Sequence, residues 1–245
     1  MKLVNTFNEI IEIEQKVTYI ETDGTQRVYT AKGDADYIEV FMPDSEKIDV
    51  EYATDSIMGL NYRKVVVGVI SEEGVLYAPE DAIMLMNDYR YSLSILNEDI
   101  HVILDWNTVN GLSMMKGDVV LYVHHATPED MTNAQRRTVG DRLAISVTML
   151  VNGVAVSQLG GLADIYEETE NTMVYYVDPE GGLTLLESDH SDGITHTTVN
   201  HFSIYMYTSE APEALDMTMI LIVIALITII LIVLLILLVR RRNKD

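Results

Sequence analysis

The chain has 245 residues, a formal net charge of -22 at pH 7 and no cysteine. Without thiols, disulfides cannot brace the fold, and no cysteine can serve as a nucleophile or a metal ligand. So negative a chain repels nucleic acid and anionic membrane surfaces and attracts metal cations or basic partners, which argues against nucleic-acid binding.

The N-terminus lacks the pattern of a signal peptide. Lys2 is followed by Glu9, Glu12 and Glu14, which interrupt any apolar core. Two interpretations stay open. In the first, the chain is the C-terminal fragment of a longer surface protein. In the second, it is a tail-anchored protein whose domain lies in the cytoplasm.

Short runs rich in Val, Ile, Thr and Tyr predict β-strands in the first third of the chain. The segment Ala78–Asp81 is interpreted as a boundary. Residues 1–78 are therefore predicted to form an N-terminal β-rich domain, or the end of a larger region. The predicted strands are Val17–Glu21 and Arg27–Thr30 around Asp23-Gly24, then Tyr37–Phe41, Ile48–Tyr52, Lys64–Ile70 and Val75–Tyr77.

A second series of strands is predicted between residues 79 and 208, with one helical turn in Pro128–Arg137. Asn152-Gly153 is the strongest hairpin signal in the chain. Many short strands separated by turns are typical of a sandwich. We therefore expect an all-β fold of one or two immunoglobulin-like β-sandwich domains, with residues 79–208 as one module. The predicted strands are Leu93–Leu96, Ile100–Trp106, Val119–His124, Leu143–Val151, Val154–Leu159, Ala163–Glu167, Met173–Val177, Leu183–Glu187, Ile194–Val199 and Phe202–Tyr207.

A transmembrane helix is predicted at Met217–Val239, after a short acidic stalk at residues 209–216. The 23 residues of this span include no charge, glycine or proline. At ~1.5 Å per residue they reach about 34 Å, which crosses a hydrocarbon core of roughly 30 Å. The predicted partner of this segment is the lipid bilayer.

The orientation of the span follows from the charges beside it. The tail, residues 240–245, carries four basic residues and one Asp, which leaves a charge of -25 on the rest. Basic residues close to a span tend to stay in the cytoplasm. The sequence thus predicts a single-pass protein of the cell membrane with an extracellular N-terminal domain and a cytoplasmic C-terminus.

The stretch from Val174 to Leu183, read with Asn200–Tyr205, resembles the C-terminal β-sandwich module of bacterial and archaeal cell-surface proteins. Its specific part is the last third of residues 80–208, which includes the closing strand with His201-Phe202-Ser203 and, two residues later, Tyr205. The resemblance covers about residues 80–208 and implies a prokaryotic, archaeal-like surface protein with an adhesion or structural role. The chain departs from such modules at Val199, and its transmembrane span replaces their other envelope anchors.

His201, Phe202 and Ser203 also resemble the self-cleavage site of autoproteolytic β-sandwich domains. The resemblance implies that Ser203 attacks the Phe202 carbonyl with His201 as the base. The alternative is an ordinary closing strand, in which Phe202, Ile204 and Met206 face the core and Ser203 and the tyrosines occupy the other face.

Calcium is the metal that the sequence favours, because hard oxygen ligands on turns suit this ion. The first candidate group is Glu187, Asp189 and Asp192; the second is Asp34, Asp36 and Glu39. Asx turns explain acidic residues beside glycine without any ion. No other cofactor is expected, since neither a phosphate loop nor a zinc-ligand spacing is present.

Together these features predict a membrane-anchored extracellular β-sandwich module that is not an enzyme. Its predicted partner outside the cell is an unidentified ligand, which it presents or binds, or an envelope protein. The first alternative is a module that cleaves itself at Phe202-Ser203. The second is a cytoplasmic, tail-anchored scaffold.

Overall fold

The computed structural model describes residues 15–20, 26–31, 37–42, 47–56 and 64–211. These residues contain sixteen strands and four helices. The strands are β1 (Gln15–Ile20), β2 (Gln26–Ala31), β3 (Tyr37–Phe41), β4 (Lys64–Ile70), β5 (Val75–Ala78), β6 (Ser92–Asn97), β7 (Ile100–Leu104), β8 (Val119–His125), β9 (Ala144–Val151), β10 (Val154–Val156), β11 (Gln158–Glu168), β12 (Met173–Val177), β13 (Leu183–Leu186), β14 (Ser188–Ser191), β15 (Ile194–His201) and β16 (Ile204–Thr208). The helices are α1 (Val50–Ser56), α2 (Glu80–Tyr89), α3 (Trp106–Met115) and α4 (Asn133–Val139). The fold is therefore mostly β-sheet, as the sequence predicts.

Two seven-stranded sheets organise the domain. In the antiparallel sheet the order is β13-β12-β16-β9-β8-β5, and β10 also pairs with β9. In the mixed sheet the order is β14-β15-β11-β7-β6-β4-β3. Its strands β3, β4 and β6 run parallel, and its remaining pairs are antiparallel. A separate antiparallel pair is formed by β1 and β2.

One apolar core lies between the two sheets. From the mixed sheet it contains residues such as Val67 and Ile165, and from the antiparallel sheet residues such as Leu121 and Tyr205. Most strands of the two sheets contribute alternate residues to this core, because successive side chains of a strand point to opposite faces. Burying one face of each sheet against the other gives a sandwich-like arrangement.

Helices α2 and α3, which the sequence patterns do not predict, belong to the same core. Helix α2 begins after Pro79 and has Glu80 and Asp81 in its first turn, where negative charge complements the helix dipole. Helix α3 is capped by Asp105, whose carboxylate accepts the Thr108 N–H at 2.8 Å. The apolar faces of the two helices supply Ala82, Ile83, Met86, Val109 and Leu112 to the core.

Helix α4 covers part of the outer face of the antiparallel sheet. Thr132 and Gln135 form a reciprocal capping box at its start. Val139 then packs with Ile204 and Met206 of β16 in a small second cluster. Strand β16 is consequently buried on both faces, since Tyr205 and Tyr207 belong to the main core.

Most of the predicted strands are confirmed, but some of them differ from the prediction in type or in bounds. The segment Ile48–Tyr52 was predicted as a strand, but helix α1 begins at Val50. Strands β4 and β5 follow each other in sequence without pairing, because β4 belongs to the mixed sheet and β5 to the antiparallel sheet. Predicted strand Ile100–Trp106 ends at Leu104, and Trp106 opens α3.

The domain boundary predicted after residue 78 falls between β5 and α2. Strands from both sides of it share both sheets, and the chain up to Ser209 forms one compact unit. Residues 210–245 form a second unit. The predicted span, 217–239, lies outside the described residues, among which no helix is both long and apolar enough to cross a membrane.

Candidate functional site

The tripeptide His201-Phe202-Ser203 forms the tight connection between β15 and β16. Its backbone is held from both sides: the Phe202 N–H donates to the Ser157 carbonyl at 2.7 Å, and the Ser203 carbonyl accepts the Val147 N–H at 3.1 Å. The Phe202 side chain is buried in the main core. The connection is therefore an integral part of the sandwich.

The His201 imidazole is half-buried beside this connection. Its Nδ1 lies 3.0 Å from Asn200 Oδ1, and its ring meets the Tyr176 ring edge-on at 4.5 Å between centroids. Burial lowers the pKa of His201, which favours the neutral ring that a general base requires. Among the described residues, however, no hydrogen bond joins this ring to the Ser203 hydroxyl, and Nε2 is buried without a partner. Self-cleavage stays a prediction that rests on the sequence alone.

The structure separates the calcium candidates. Glu187 lies between β13 and β14, Asp189 lies within β14, and Asp192 starts the turn to β15 with a φ of 53°. All three are exposed, and within the described part of the chain no group of three acidic or histidine side chains is arranged to hold a metal ion. Asp34 and Asp36 lie outside the described residues.

Glu39, the remaining calcium candidate, is instead the centre of a buried hydrogen-bonded cluster. On the outer face of the mixed sheet, its Oε1 accepts the Ser94 hydroxyl at 2.5 Å and lies 2.9 Å from His101 Nε2. All three side chains are buried. The carboxylate stands between the hydroxyl and the imidazole, so His101 is not placed to take a proton from Ser94. This order differs from a Ser-His-acid relay, in which the imidazole is central.

A second cluster lies between the two sheets, at one end of the core. Glu167 of β11 is 1% exposed, and its Oε1 lies 3.0 Å from Nε2 of His125, the last residue of β8. Its Oε2 and the hydroxyl of buried Tyr207, on β16, have no hydrogen-bond partner among the described residues. This inter-sheet cluster, Glu167, His125 and Tyr207, joins one strand of the mixed sheet to two of the antiparallel sheet.

Burial shifts the pKa values of two side chains in the inter-sheet cluster. Burial, aided by the negative charges of Asp99 and Glu168, raises the pKa of Glu167 to about 7, although the hydrogen bond and charge of His125 act to lower it. Burial also raises the pKa of Tyr207, and the nearby Glu167 adds to that effect. The Glu167 carboxyl can therefore take up or release a proton near neutral pH.

A third acid–histidine pair lies on the outer face of the mixed sheet. Asp164 accepts the Thr198 hydroxyl at 2.8 Å and lies 3.1 Å from His196 Nε2, while the Tyr166 ring stacks on the His196 ring at 4.5 Å. Burial acts to raise the pKa of Asp164, but His196 and Thr198 together lower it. Hydrogen bonds thus hold the Asp164 carboxylate to two neighbouring side chains of β15.

The sequence does not indicate the three acid–histidine pairs described above. Their members come from different strands, so no spacing along the chain announces them. A weak signal was present: Glu39 and His101 each stand alone between apolar residues of a strand, where an isolated polar side chain needs a partner.

A cleft of about 360 Å³ opens beside α1. Its lining combines apolar and charged side chains, namely Met42, Lys47, Ile48, Asp49, Val50, Glu51, Tyr52 and Leu85. It is separate from the candidate residues above.

No protein-family model matches the chain, and no curated protein is significantly similar to it.

Proposed function

We propose that this chain is a single-pass membrane protein whose β-domain lies outside the cell and acts by presenting or binding a ligand, without catalysis. The observation that carries the proposal is the change of charge across 217–239. Asp216 precedes this apolar run, and Arg240, Arg241 and Arg242 follow it. Placing the arginines in the cytoplasm puts the acidic domain on the opposite side of the membrane.

The way in which the domain ends supports a presenting role. Its last strand, β16, lies between β12 and β9, and both of its faces are buried. The chain reaches the apolar run within a few residues of Thr208. A pull on the anchor would thus act on a strand held by hydrogen bonds at both edges, which suits a module that bears load at a surface.

The resemblance of Val174–Leu183 and Asn200–Tyr205 to prokaryotic surface modules is a further support. In the structure these segments are β12 with the start of β13, and the junction of β15 with β16. They meet as neighbours, because β12 pairs with β13 on one side and with β16 on the other.

Protease treatment of intact cells tests the topology. The chain is expressed from its native gene with one epitope in the exposed β14–β15 turn, next to Gly193, and a second after Asp245. External protease is expected to remove the first epitope and to leave the second. The matched variant combines Arg240→Glu, Arg241→Glu and Arg242→Glu. Because it lacks the basic residues that fix the orientation, part of its domain should be protected from the external protease.

Full protection of the turn epitope in intact cells, with digestion after permeabilisation, would instead establish the cytoplasmic, tail-anchored scaffold.

A further inference from the structure

Within the described part of the chain, strand β13 is an open edge of the antiparallel sheet, because it pairs with β12 on one side only. Its register shows which backbone groups face outward. The Asp178 N–H donates to the Gly182 carbonyl at 3.0 Å, and in an antiparallel ladder the side faced by N–H and C=O alternates with each residue. Thr184 therefore directs its N–H and C=O toward β12, whereas Leu183 and Leu185 direct theirs away from the sheet.

The same two residues expose apolar side chains. Leu183 is 36% exposed and Leu185 is 58% exposed, and Leu185 pairs with half-buried Tyr175 of β12. Residues 181–186 carry no charge, in a chain with a net charge of -22. An uncharged, apolar edge strand with free backbone groups is a template for pairing with another strand.

Two other sheet edges are protected. The free side of β5 is covered, since Lys47 bridges Tyr77 and the Ile48 N–H donates to the Tyr77 carbonyl at 3.0 Å. At the edge of the mixed sheet, β14 consists of Ser-Asp-His-Ser and exposes the charge of Asp189. Charged side chains on an edge discourage pairing. In contrast to these two edges, β13 is both uncharged and uncovered among the described residues.

We propose that β13 pairs antiparallel with β13 of a second copy of this chain, about a two-fold axis that passes through Thr184. In this register Leu183 of each copy lies opposite Leu185 of the other, so the outward N–H and C=O groups of both residues form four hydrogen bonds across the axis. The exposed leucines of the two copies meet on one face of the joined sheets. The same patch of both copies thus provides all donors and acceptors of the interface, as in other two-fold interfaces.

The flanking charges agree with this register. Glu187 of one copy lies opposite Gly181 of the other, and Glu180 lies opposite Ser188. The acidic residues therefore do not face each other in this register. Their mutual repulsion would oppose pairing over a longer stretch of the two strands. The pairing is accordingly restricted to the uncharged residues of β13.

The absence of cysteine from the chain allows a direct test of the register. Thr184 faces Thr184 of the second copy as a non-hydrogen-bonded pair, with Cα atoms ~4.5 Å apart, a separation that a disulfide can bridge. The full-length Thr184→Cys chain is expected to form a reducible dimer under mild oxidation, as seen on a non-reducing gel. Glu187→Cys, the control on the same segment, should not, because its two copies would lie about 20 Å apart along the joined strands.

A charge at the interface provides a second arm. In the Thr184→Cys background, Leu185→Lys should abolish the cross-linked dimer. Val154→Lys in that background should leave the dimer intact, since Val154 is 67% exposed and lies on β10, away from this edge. A thermal melt of each variant confirms that the fold is kept.

Equal cross-linking at Thr184→Cys and Glu187→Cys, a monomeric Thr184→Cys chain, or a dimer that survives Leu185→Lys would each overturn the proposal. A mixed disulfide between Thr184→Cys and a different protein would also overturn it, by showing that the edge pairs with another chain.

Discussion

At the scale of single residues, Glu167 is an acidic side chain buried in the core with an incomplete set of hydrogen bonds. Its carboxyl is buried between the two sheets, and only Oε1 has a hydrogen-bond partner among the described residues, His125. A buried acceptor left without a partner costs about 1–3 kcal/mol. Protonation of the carboxyl removes the charge that burial penalises, so the folded chain holds this proton more strongly than the unfolded chain does.

The first prediction concerns pH and stability. The pKa of Glu167 is raised from an ordinary 4.5 to about 7 in the folded chain, through burial. A raised pKa stabilises the folded state below pH 4.5, and this contribution is lost as the pH rises through 7. Replacing Glu167→Gln should remove up to about 3 kcal/mol of that pH dependence, measured as the free energy of unfolding in urea across this range.

Glu180→Gln is the control, because Glu180 is exposed in the turn between β12 and β13 and is not among the groups that shift the pKa of Glu167. Its profile should run parallel to that of the wild type. If the Glu167→Gln profile also runs parallel to the wild type, Glu167 does not hold the proton proposed for it.

Other single residues were readable from the sequence. Asn152 and Gly153 have φ values of 52° and 74°, as a two-residue hairpin turn of the predicted kind requires. This turn joins β9 and β10. The sequence predicts this turn because the left-handed backbone conformation favours Asn and Gly whatever residues surround them.

At the scale of elements, the helices show where the sequence patterns were ambiguous. The start of α2 carries local signals, namely Pro79 and two acidic residues, whereas Ile83 and Tyr89 within it also suit strands. Helix α3 follows β7 without a loop, with Asp105 as the single residue between them. In both segments tertiary packing against the core decided between strand and helix.

Strand β16 corrects the predicted alternation of the closing strand. Phe202 was expected to share a face with Ile204 and Met206, but it joins Tyr205 and Tyr207 in the main core. The bend at Ser203 separates Phe202 from the strand, so the alternation starts anew at Ile204.

A second prediction separates structure from chemistry at this connection. Phe202→Ala should cost about 3–5 kcal/mol of stability, as for other core aromatics. Ser203→Ala should be nearly neutral, because the contact made by Ser203 to Val147 uses its backbone carbonyl. Urea denaturation measures both.

Intact-mass spectrometry of the same proteins addresses self-cleavage. We expect a single full-length mass. A fragment that begins at Ser203, and that disappears in Ser203→Ala, would show that the module cleaves itself.

At the scale of the whole molecule, acidic repulsion opposes a compact fold. The chain contains 38 acidic and 16 basic residues, and several of the acidic ones are buried or half-buried beside histidines. Salt screens charges over a Debye length of about 10 Å at 0.1 M. General screening and specific calcium binding therefore make different predictions.

The third prediction uses that difference. The melting temperature of the chain should rise with NaCl. If the candidate residues do not bind calcium, CaCl₂ at the same ionic strength should raise the melting temperature by the same amount. A further rise with CaCl₂ would establish a site. If that rise persists in Asp189→Asn/Asp192→Asn but is lost in Asp34→Asn/Asp36→Asn, the site belongs to the second candidate group.

The sequence by itself determined the content and many of the boundaries of the strands, because alternation, β-branched residues and turn residues are local properties. It also determined the apolar run at 217–239 and the charges beside it. The tertiary structure alone decided which strands pair, that β4 and β5 part into different sheets, and that Glu39 and Glu167 meet histidines far away in the chain. These outcomes depend on contacts between residues distant in sequence, whose energies no local pattern records.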